Sequence, residues 1–400
     1  MSNIITDPNL IDEILDRGTI VEVLPTNEKF KERLLSGEKL KFYIGFDATA
    51  PTLHLSHAKN IMLLEKFRKL GHEAIVLFGD FTAMIGDPTG ESSARKQLTR
   101  EDVQKNVEKW KEMIKPLMNF DDPENPPVIM YNHDWLSKLS LEDVINLSSN
   151  FTVQQMLERD MFEKRIGDKK PIYLNEFMYP LLQGYDSVSM DVDVEICGTD
   201  QIFNALAGRV LQRRLNDREK FVVANTLMEN PKTGDLMSKS KGTGVFLDSE
   251  PSDIYGQIMA QPDEMMEVLF INNTFISKDE IKEILKSDNP RDSKMRLSYE
   301  IVKILAGEGS AETAQEQFIS RFQNKTDEVA KEFKVSNKNI SVVDVLIETT
   351  FAKSKSEARR LIEQGGVKLN GEVVKEDNEF SIPKDGITLE KGKLNIVKLI

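Results

Sequence analysis

The sequence predicts an α/β protein: a parallel-sheet domain, then a helical segment, then a small α+β tail. Three patterns carry this reading. They are a strand–helix–strand unit at 40–79, a strand-free stretch at 248–308, and a change of character over the last sixty residues. The divisions expected from them are 1–247, 248–325, a linker at 326–340, and 341–400.

Leu40 to Phe46 reads as a strand entering a turn. From Ala58 to Leu70, the residues Ile61, Leu64, Phe67 and Leu70 recur on one helical face, and Gly71 suits a C-terminal cap. Glu73 to Gly79 is nearly all apolar, as in a parallel strand covered on both faces. A strand–helix–strand unit of this length predicts a Rossmann-like sheet with ligands at the carboxyl ends of its strands. Gly86-Asp87-Pro88-Thr89-Gly90 follows as a turn, and Ser92 to Thr99 as a polar, basic loop. Residues 141–165 are helical in pattern, with apolar Val144, Ile145, Leu147, Val153, Met156 and Leu157. Residues 309–340 are polar and read as a helix and linker. In the tail, Val342–Leu346 and Lys355–Gln364 suggest two short helices, the second broken by Gly365-Gly366. Val367 to Val374 is a hairpin with Asn370-Gly371 at its turn, the pair favoured by a type I′ geometry.

Four hundred residues exceed one ordinary core and suggest two or three domains. The chain is 40% hydrophobic and 30% charged, the balance of a soluble globular protein. No apolar run approaches the length of a membrane span, and the first residues lack the basic-then-apolar pattern of a secretory signal. The single cysteine, Cys197, excludes an internal disulfide framework and a Cys-rich metal site, so a reducing cytoplasm is expected. A net charge of −13 argues against a general nucleic-acid coat protein. Residues 341–400 hold ten Lys/Arg and ten Asp/Glu, so any RNA contact must come from local basic patches.

Two short motifs carry the chemistry. In Leu53-His54-Leu55-Ser56-His57 the histidines stand three apart where strand gives way to helix. Neutral imidazoles there, with the backbone amides of the first turn, suit phosphate oxygens. Metal ligation fits less well, because only His72 and His133 remain and no Cys or Asp cluster adjoins. The second motif is Leu236-Met237-Ser238-Lys239-Ser240, with Gly242 and Gly244 after it. A lysine in such a loop brings a point charge onto phosphate. In this order the two read as halves of one ATP site.

The pair resembles the HIGH and KMSKS signatures of class I aminoacyl-tRNA synthetases. Tyr43-Ile44-Gly45-Phe46-Asp47-Ala48-Thr49 matches the lead into the first signature. Tyr179 to Asp186 and Gly198-Thr199-Asp200-Gln201 are similar to segments of bacterial-type tyrosyl-tRNA synthetases. Tyr179, Gln183 and Asp186 are spaced to share one helix face. The resemblance implies that Tyr179, Gln183 and Asp87 take a tyrosine ammonium, that Asp186 and Tyr43 bind its phenol, and that Gln201 lines the same site. It implies that Gly45, Asp47, Ser56, Gly198 and Asp200 meet ATP. Thr49, His54, His57, Ser238 and Lys239 would hold the reacting phosphates, with Mg²⁺ arriving on the ATP and no dedicated protein site for it. The tyrosyl enzymes are the standing example of selection through a hydroxyl group, rejecting phenylalanine by roughly 10⁵ without editing.

The match has departures. Ser56 replaces the glycine of the first signature, Leu236 the first lysine of the second, and Cys197 a common glycine. Lys232 or Lys241 is a candidate to replace the lost charge. The tail resembles an RNA-binding domain shared with a small-subunit ribosomal protein. That likeness implies tRNA contacts from Lys353, Lys355, Arg359, Arg360 and Lys368, with Asp263 meeting the anticodon from a helical domain. It also implies tRNA-Tyr as partner and a homodimer joined through 141–165. The remaining readings are a tryptophanyl relative, a catalytically weak RNA-binding paralogue, and a nucleotidyltransferase that has only the histidine motif.

Overall fold

The computed structural model describes residues 4–87, 98–237, 244–323, 331–335, 337, 339–352, 354–363, 365–383, 385–391 and 395–400. Ser238, Lys239, Lys241, Gly242, Lys353, Gln364 and most of the expected loop from Ser92 to Thr99 lie outside the described residues. The chain packs as two compact units, Met1–Glu316 and Gln317–Ile400.

The first unit is built on six strands: β1 (Ile20–Leu24), β2 (Lys41–Phe46), β3 (Glu73–Phe78), β4 (Val128–Tyr131), β5 (Val194–Gly198) and β6 (Phe221–Asn225). Their order is β1-β6-β5-β2-β3-β4. All neighbours are parallel except β1, which closes the edge antiparallel to β6. The expected strand–helix–strand unit is therefore the centre of the sheet, with Tyr43 paired to Ile75. The winding reverses between β2 and β5, and a crevice opens there at the carboxyl ends.

The helix between β2 and β3 runs Leu55–Lys69, starting three residues before the sequence pattern does. It is buried nearly all round rather than amphipathic, because the helix Met265–Asn273 also packs against it. Its polar residues are accordingly satisfied inside: Arg68 meets Glu65 at 2.6 Å and Asp122 at 2.7 Å. The stretch 141–165 divides into helices Leu141–Ser148, Val153–Leu157 and one beginning at Asp160. Capping boxes at Ser140 and Thr152 start the first two. Two long helices, Leu174–Met190 and Ile202–Asn216, lie against each other.

Residues 248–316 are helical and strand-free, as expected, but they share the first unit with the sheet. Buried Arg17 donates to the carbonyls of Ile271 at 2.8 Å and Thr274 at 2.7 Å. Asn273 Nδ2 donates to Leu55 O at 2.9 Å, joining that helical segment to the first motif. Among the described residues no helix is long and apolar enough to cross a membrane.

The second unit corrects the expected linker. Within 326–340 lie β7 (Lys331–Phe333) and the start of β8 (Asn339–Ser341). Their few apolar residues find partners far along the chain, which local polarity does not reveal. With β9 (Val367–Leu369), β10 (Glu372–Val373), β11 (Glu379–Ser381), β12 (Ile387–Lys391) and β13 (Asn395–Leu399) they form two sheets, β10-β9-β12-β13-β7 and β11-β8. Helices Val342–Glu348 and Lys355–Glu363 bury Val345, Leu346, Ala358 and Ile362 against Val367, Leu389 and Leu399. The expected hairpin is β9–β10, with positive φ at both Asn370 and Gly371.

The two long helices meet at glycines. A Cβ on Gly184 would stand 2.9 Å from Gly208 N and 3.1 Å from Leu211 Cδ1. Gly184→Ala is therefore expected to cost about 1–3 kcal/mol in a denaturant melt, since backbone cannot give way as a flexible side chain does.

Candidate active site

The crevice between β2 and β5 is a cleft of about 380 Å³. Tyr43, Gly45, Asp47 and Thr49 come from β2 and the loop after it, and His54, Ser56 and His57 from the next helix start. Tyr179, Gln183 and Asp186 come from one face of the Leu174–Met190 helix, and Gly198, Asp200 and Gln201 from the end of β5. Asp87 completes the set. All described candidates for the amino acid and for ATP thus share one cleft.

The second motif's flanks reach the first motif. His54 bridges Phe246, Leu55 N donates to Val245 O at 3.1 Å, and Leu247 N donates to Leu53 O at 2.9 Å. Leu236 and Met237, on the other flank, line the cleft beside the histidines. The loop after β2 is pinned by Asn106 on Ala48 O at 2.8 Å and Trp110 on Ala50 O at 2.9 Å.

His54 and His57 stack edge to face, 4.2 Å between centroids. Burial lowers their pKa values to about 4 and about 3, so both rings are neutral near pH 7. Burial is the larger cause, beyond the helix-end effect expected from sequence. His57 Nδ1 accepts from His54 N at 3.3 Å, which assigns its proton to Nε2. Among the described residues, buried His54 Nδ1 has no hydrogen-bond partner.

The other end of the cleft is acidic. Asp47 accepts from Thr82 Oγ1 at 2.6 Å and Tyr179 Oη at 2.8 Å. Asp186 accepts from Trp135 Nε1 at 2.7 Å and Asn132 Nδ2 at 3.2 Å, and Gln201 Nε2 donates to Asp87 at 2.7 Å. Burial pushes Asp186 well above the usual carboxylate range, against the pull of its two donors. It also raises both tyrosine hydroxyls, so Tyr43 and Tyr179 keep their protons.

Steric tests revise the glycine reading. A Cβ on Gly45 would make only ordinary contacts with protein, leaving its space to a ligand. A Cβ on Gly198 would strike Asp200 Oδ1 at 2.4 Å, and one on Gly79 would strike Asp47 Oδ1 at 2.1 Å. Gly79 was not singled out in the sequence, though it ends an apolar strand as such a glycine should.

Sequence reasoning also missed Thr82, Asn132, Trp135, Glu195 and Lys59. Only two left a trace: Glu195 interrupts an apolar strand, and Lys59 interrupts an apolar helix. Lys59 lines the cleft, bonded to Asn225 Oδ1 at 2.8 Å and Asn60 Oδ1 at 3.0 Å. Burial lowers its pKa to about 7. The proposed stand-in Lys232 is exposed and pairs with Glu264 instead, and Lys241 lies outside the described residues.

The RNA candidates are dispersed. Asp263 pairs with Lys294 at 2.5 Å in the first unit. In the second, Arg359 and Arg360 are exposed, Lys368 is half-buried, and Lys355 pairs with Asp344 at 2.9 Å. Among the described residues no group of three or more His, Cys, Asp or Glu could hold a metal ion.

Burial raises the Asp47 pKa to about 7, against 3.8 ordinarily, so ionising it costs stability in the fold. That cost begins as pH rises past the unfolded value and is complete above the folded one. Asp47→Asn should therefore raise the melting temperature at pH 8. The gain should vanish by about pH 4.

The family model described as "tRNA synthetases class I (W and Y)" matches residues 35–323, and the S4 domain model matches 342–379. A tyrosine–tRNA ligase of Haemophilus influenzae is 39% identical, with 98% of each chain covered. One of Geobacter metallireducens is 41% identical, covering 97% of this chain and 98% of its own. Among solved structures, a C-terminally truncated mitochondrial tyrosyl-tRNA synthetase of Aspergillus nidulans shares the fold. Its TM-score is 0.66 at 21% identity, covering 78% of this chain and 94% of its own. The cleft therefore stands in a chain that belongs to the class I tRNA synthetases of the tryptophan and tyrosine group and carries an S4 domain.

Proposed function

We propose that this chain is a tyrosine–tRNA ligase, joining tyrosine to ATP as tyrosyl-adenylate and then passing tyrosyl to the 3′ end of tRNA-Tyr. One observation carries the reading. The histidine motif and Leu236-Met237 of the second motif border a cleft whose buried end holds Tyr43 and Asp186, and Val245–Leu247 pair with the histidine turn.

The electrostatics divide the substrates. Asp47, Asp87 and Asp186 gather at one end, which suits an ammonium and a phenol and repels phosphate. Tyr179, Gln183 and Asp87 receive the ammonium, and Asp186 with Tyr43 the phenolic hydroxyl, while Gln201 buttresses Asp87. Buried partners for that hydroxyl leave phenylalanine with unpaired groups. The nucleotide lies toward the neutral histidines. His54 Nδ1 is available to a hydroxyl or N–H, and Nε2–H of each ring to phosphate. Gly45 and Ser56 leave room for adenosine, Gly198 and Asp200 meet the ribose, and Asp47 stands nearest the adenylate.

The tyrosine carboxylate attacks the α-phosphate in line and pyrophosphate leaves. No covalent enzyme intermediate is needed, because positioning and donors to the phosphate oxygens suffice. Thr49, His54, His57, Ser238 and Lys239 are those donors, each worth roughly 3 kcal/mol in such a site. Magnesium enters as part of the nucleotide substrate. Lys59 supplies the buried cation that Leu236 does not.

For tRNA, the helices of 248–325 serve as the anticodon-binding domain, with Asp263 at its contact. Arg359, Arg360 and Lys368 of the S4 domain, with Lys353 and Lys355, follow the RNA backbone. A homodimer is supported by an apolar surface: Leu141, Ile145 and Val153 are 77%, 60% and 67% exposed. The cytoplasm is where such substrates meet.

Pyrophosphate exchange with each of the twenty amino acids should respond to tyrosine alone. Response to tryptophan would favour the other branch of the family. No response from folded protein that binds tRNA would favour a paralogue disabled by Ser56 and Leu236. A chain ending at Gln323 should keep exchange near the parent rate and lose at least about tenfold in tRNA charging. Equal charging would remove the S4 domain from the reaction.

A further inference from the structure

Behind the amino-acid end of the cleft lies an ion pair that none of these roles uses. Lys220, just before β6, is fully buried, and its ammonium meets the Glu195 carboxylate on β5 and Ser187 Oγ at 2.9 Å. Glycine makes the room: a Cβ on Gly208 would stand 2.5 Å from Lys220 Nζ. The pair's other contacts reach two residues of the cleft. Glu195 Oε1 accepts from Gln183 Nε2 at 3.0 Å, and Ser187 Oγ lies 3.0 Å from Tyr43 Oη.

We propose that Lys220 and Glu195 are positioning residues for amino-acid recognition, fixing the carboxamide of Gln183 and the hydroxyl of Tyr43 in the polarity the substrate needs. A carboxylate paired to an ammonium only accepts hydrogen bonds. It therefore takes the Gln183 NH₂ and turns Oε1 the other way. Asn204 Nδ2 donates to that Oε1 at 3.0 Å and holds the same orientation from the opposite side. The second lone pair of Oε1 is left for a further donor. On the reading above, on which this inference rests, that donor is the tyrosine ammonium. Lys220 also neutralises Glu195, which would otherwise compete with Asp87 for the ammonium. Through Ser187, the same ammonium restrains the group that Tyr43 meets.

Two charge-balanced double variants test this in pyrophosphate exchange. Glu195→Gln with Lys220→Met keeps an acceptor for Gln183, and its tyrosine KM should stay within about threefold of the parent. Glu195→Ala with Lys220→Met removes the acceptor. Its tyrosine KM should rise at least about tenfold, with the ATP KM within about twofold. Lys220→Met alone strands a buried carboxylate and should be the worst for tyrosine. Similar tyrosine KM values for the two double variants would overturn the proposal, as would an equal rise in the ATP KM. Gln183→Ala separates the two levels. If it raises the tyrosine KM while the double variants behave alike, only the positioning role falls. If it leaves the tyrosine KM unchanged, the ammonium role of Gln183 falls and takes this proposal with it.

Discussion

The backbone pairing between Leu53–Leu55 and Val245–Leu247 is the constraint on which the site depends. It closes a loop of roughly 190 residues, an entropic cost that grows only slowly with loop length. What offsets it is the parallel sheet, whose strands β2, β3, β5 and β6 are all contributed by that loop or its edges. Once the sheet forms, the first motif sits after β2 and Val245–Leu247, beyond β6, pair with it. The first motif and Leu236-Met237, far apart in sequence, then border one cleft. The bond from Asn273 to Leu55 O extends the same junction into the helical segment.

The cleft accumulates charge that folding alone would not favour. Asp47, Asp87, Asp186, Glu195 and Asp200 all line it, with Lys59 among them. Burial raises Asp47 and Asp186, the mark of carboxylates held where their ionised forms are poorly solvated. Such an arrangement is stabilised by a cationic ligand and costs stability without one, the usual relation between a binding site and its fold. The histidines show the reverse. Burial keeps them neutral, so their rings add no charge that must be desolvated.

The S4-matching unit follows a different logic. Its apolar core is small, drawn from two short helices and thin strands, and Lys355, Arg359 and Arg360 lie on the second helix and Lys368 on the hairpin. Some of that charge is balanced locally, as Lys355 is by Asp344. Exposed arginines at positions 359 and 360 leave a compact basic patch on a chain whose overall charge is −13.

The sequence by itself determined the central strand–helix–strand unit, the histidine motif at a helix start, the Tyr179–Gln183–Asp186 face and the Asn370–Gly371 hairpin. Each is a local pattern whose meaning depends on neighbours within a few residues. It missed β7 and β8 because their partners lie up to about 70 residues away and their own composition is polar. It misjudged the Leu55–Lys69 helix as half exposed because the helix that covers its second face comes from beyond residue 260. The stand-in lysine was sought near Leu236 in sequence, whereas a buried lysine that lines the cleft, Lys59, comes from the Leu55–Lys69 helix. The pairing of Glu195 with Lys220 was hidden for the same reason: one charge in an apolar strand and one before another strand have no shared meaning until β5 and β6 lie side by side. Tertiary structure decided what these residues do, because the energy of a buried charge depends on which group stands opposite it, and only the folded sheet chooses that group.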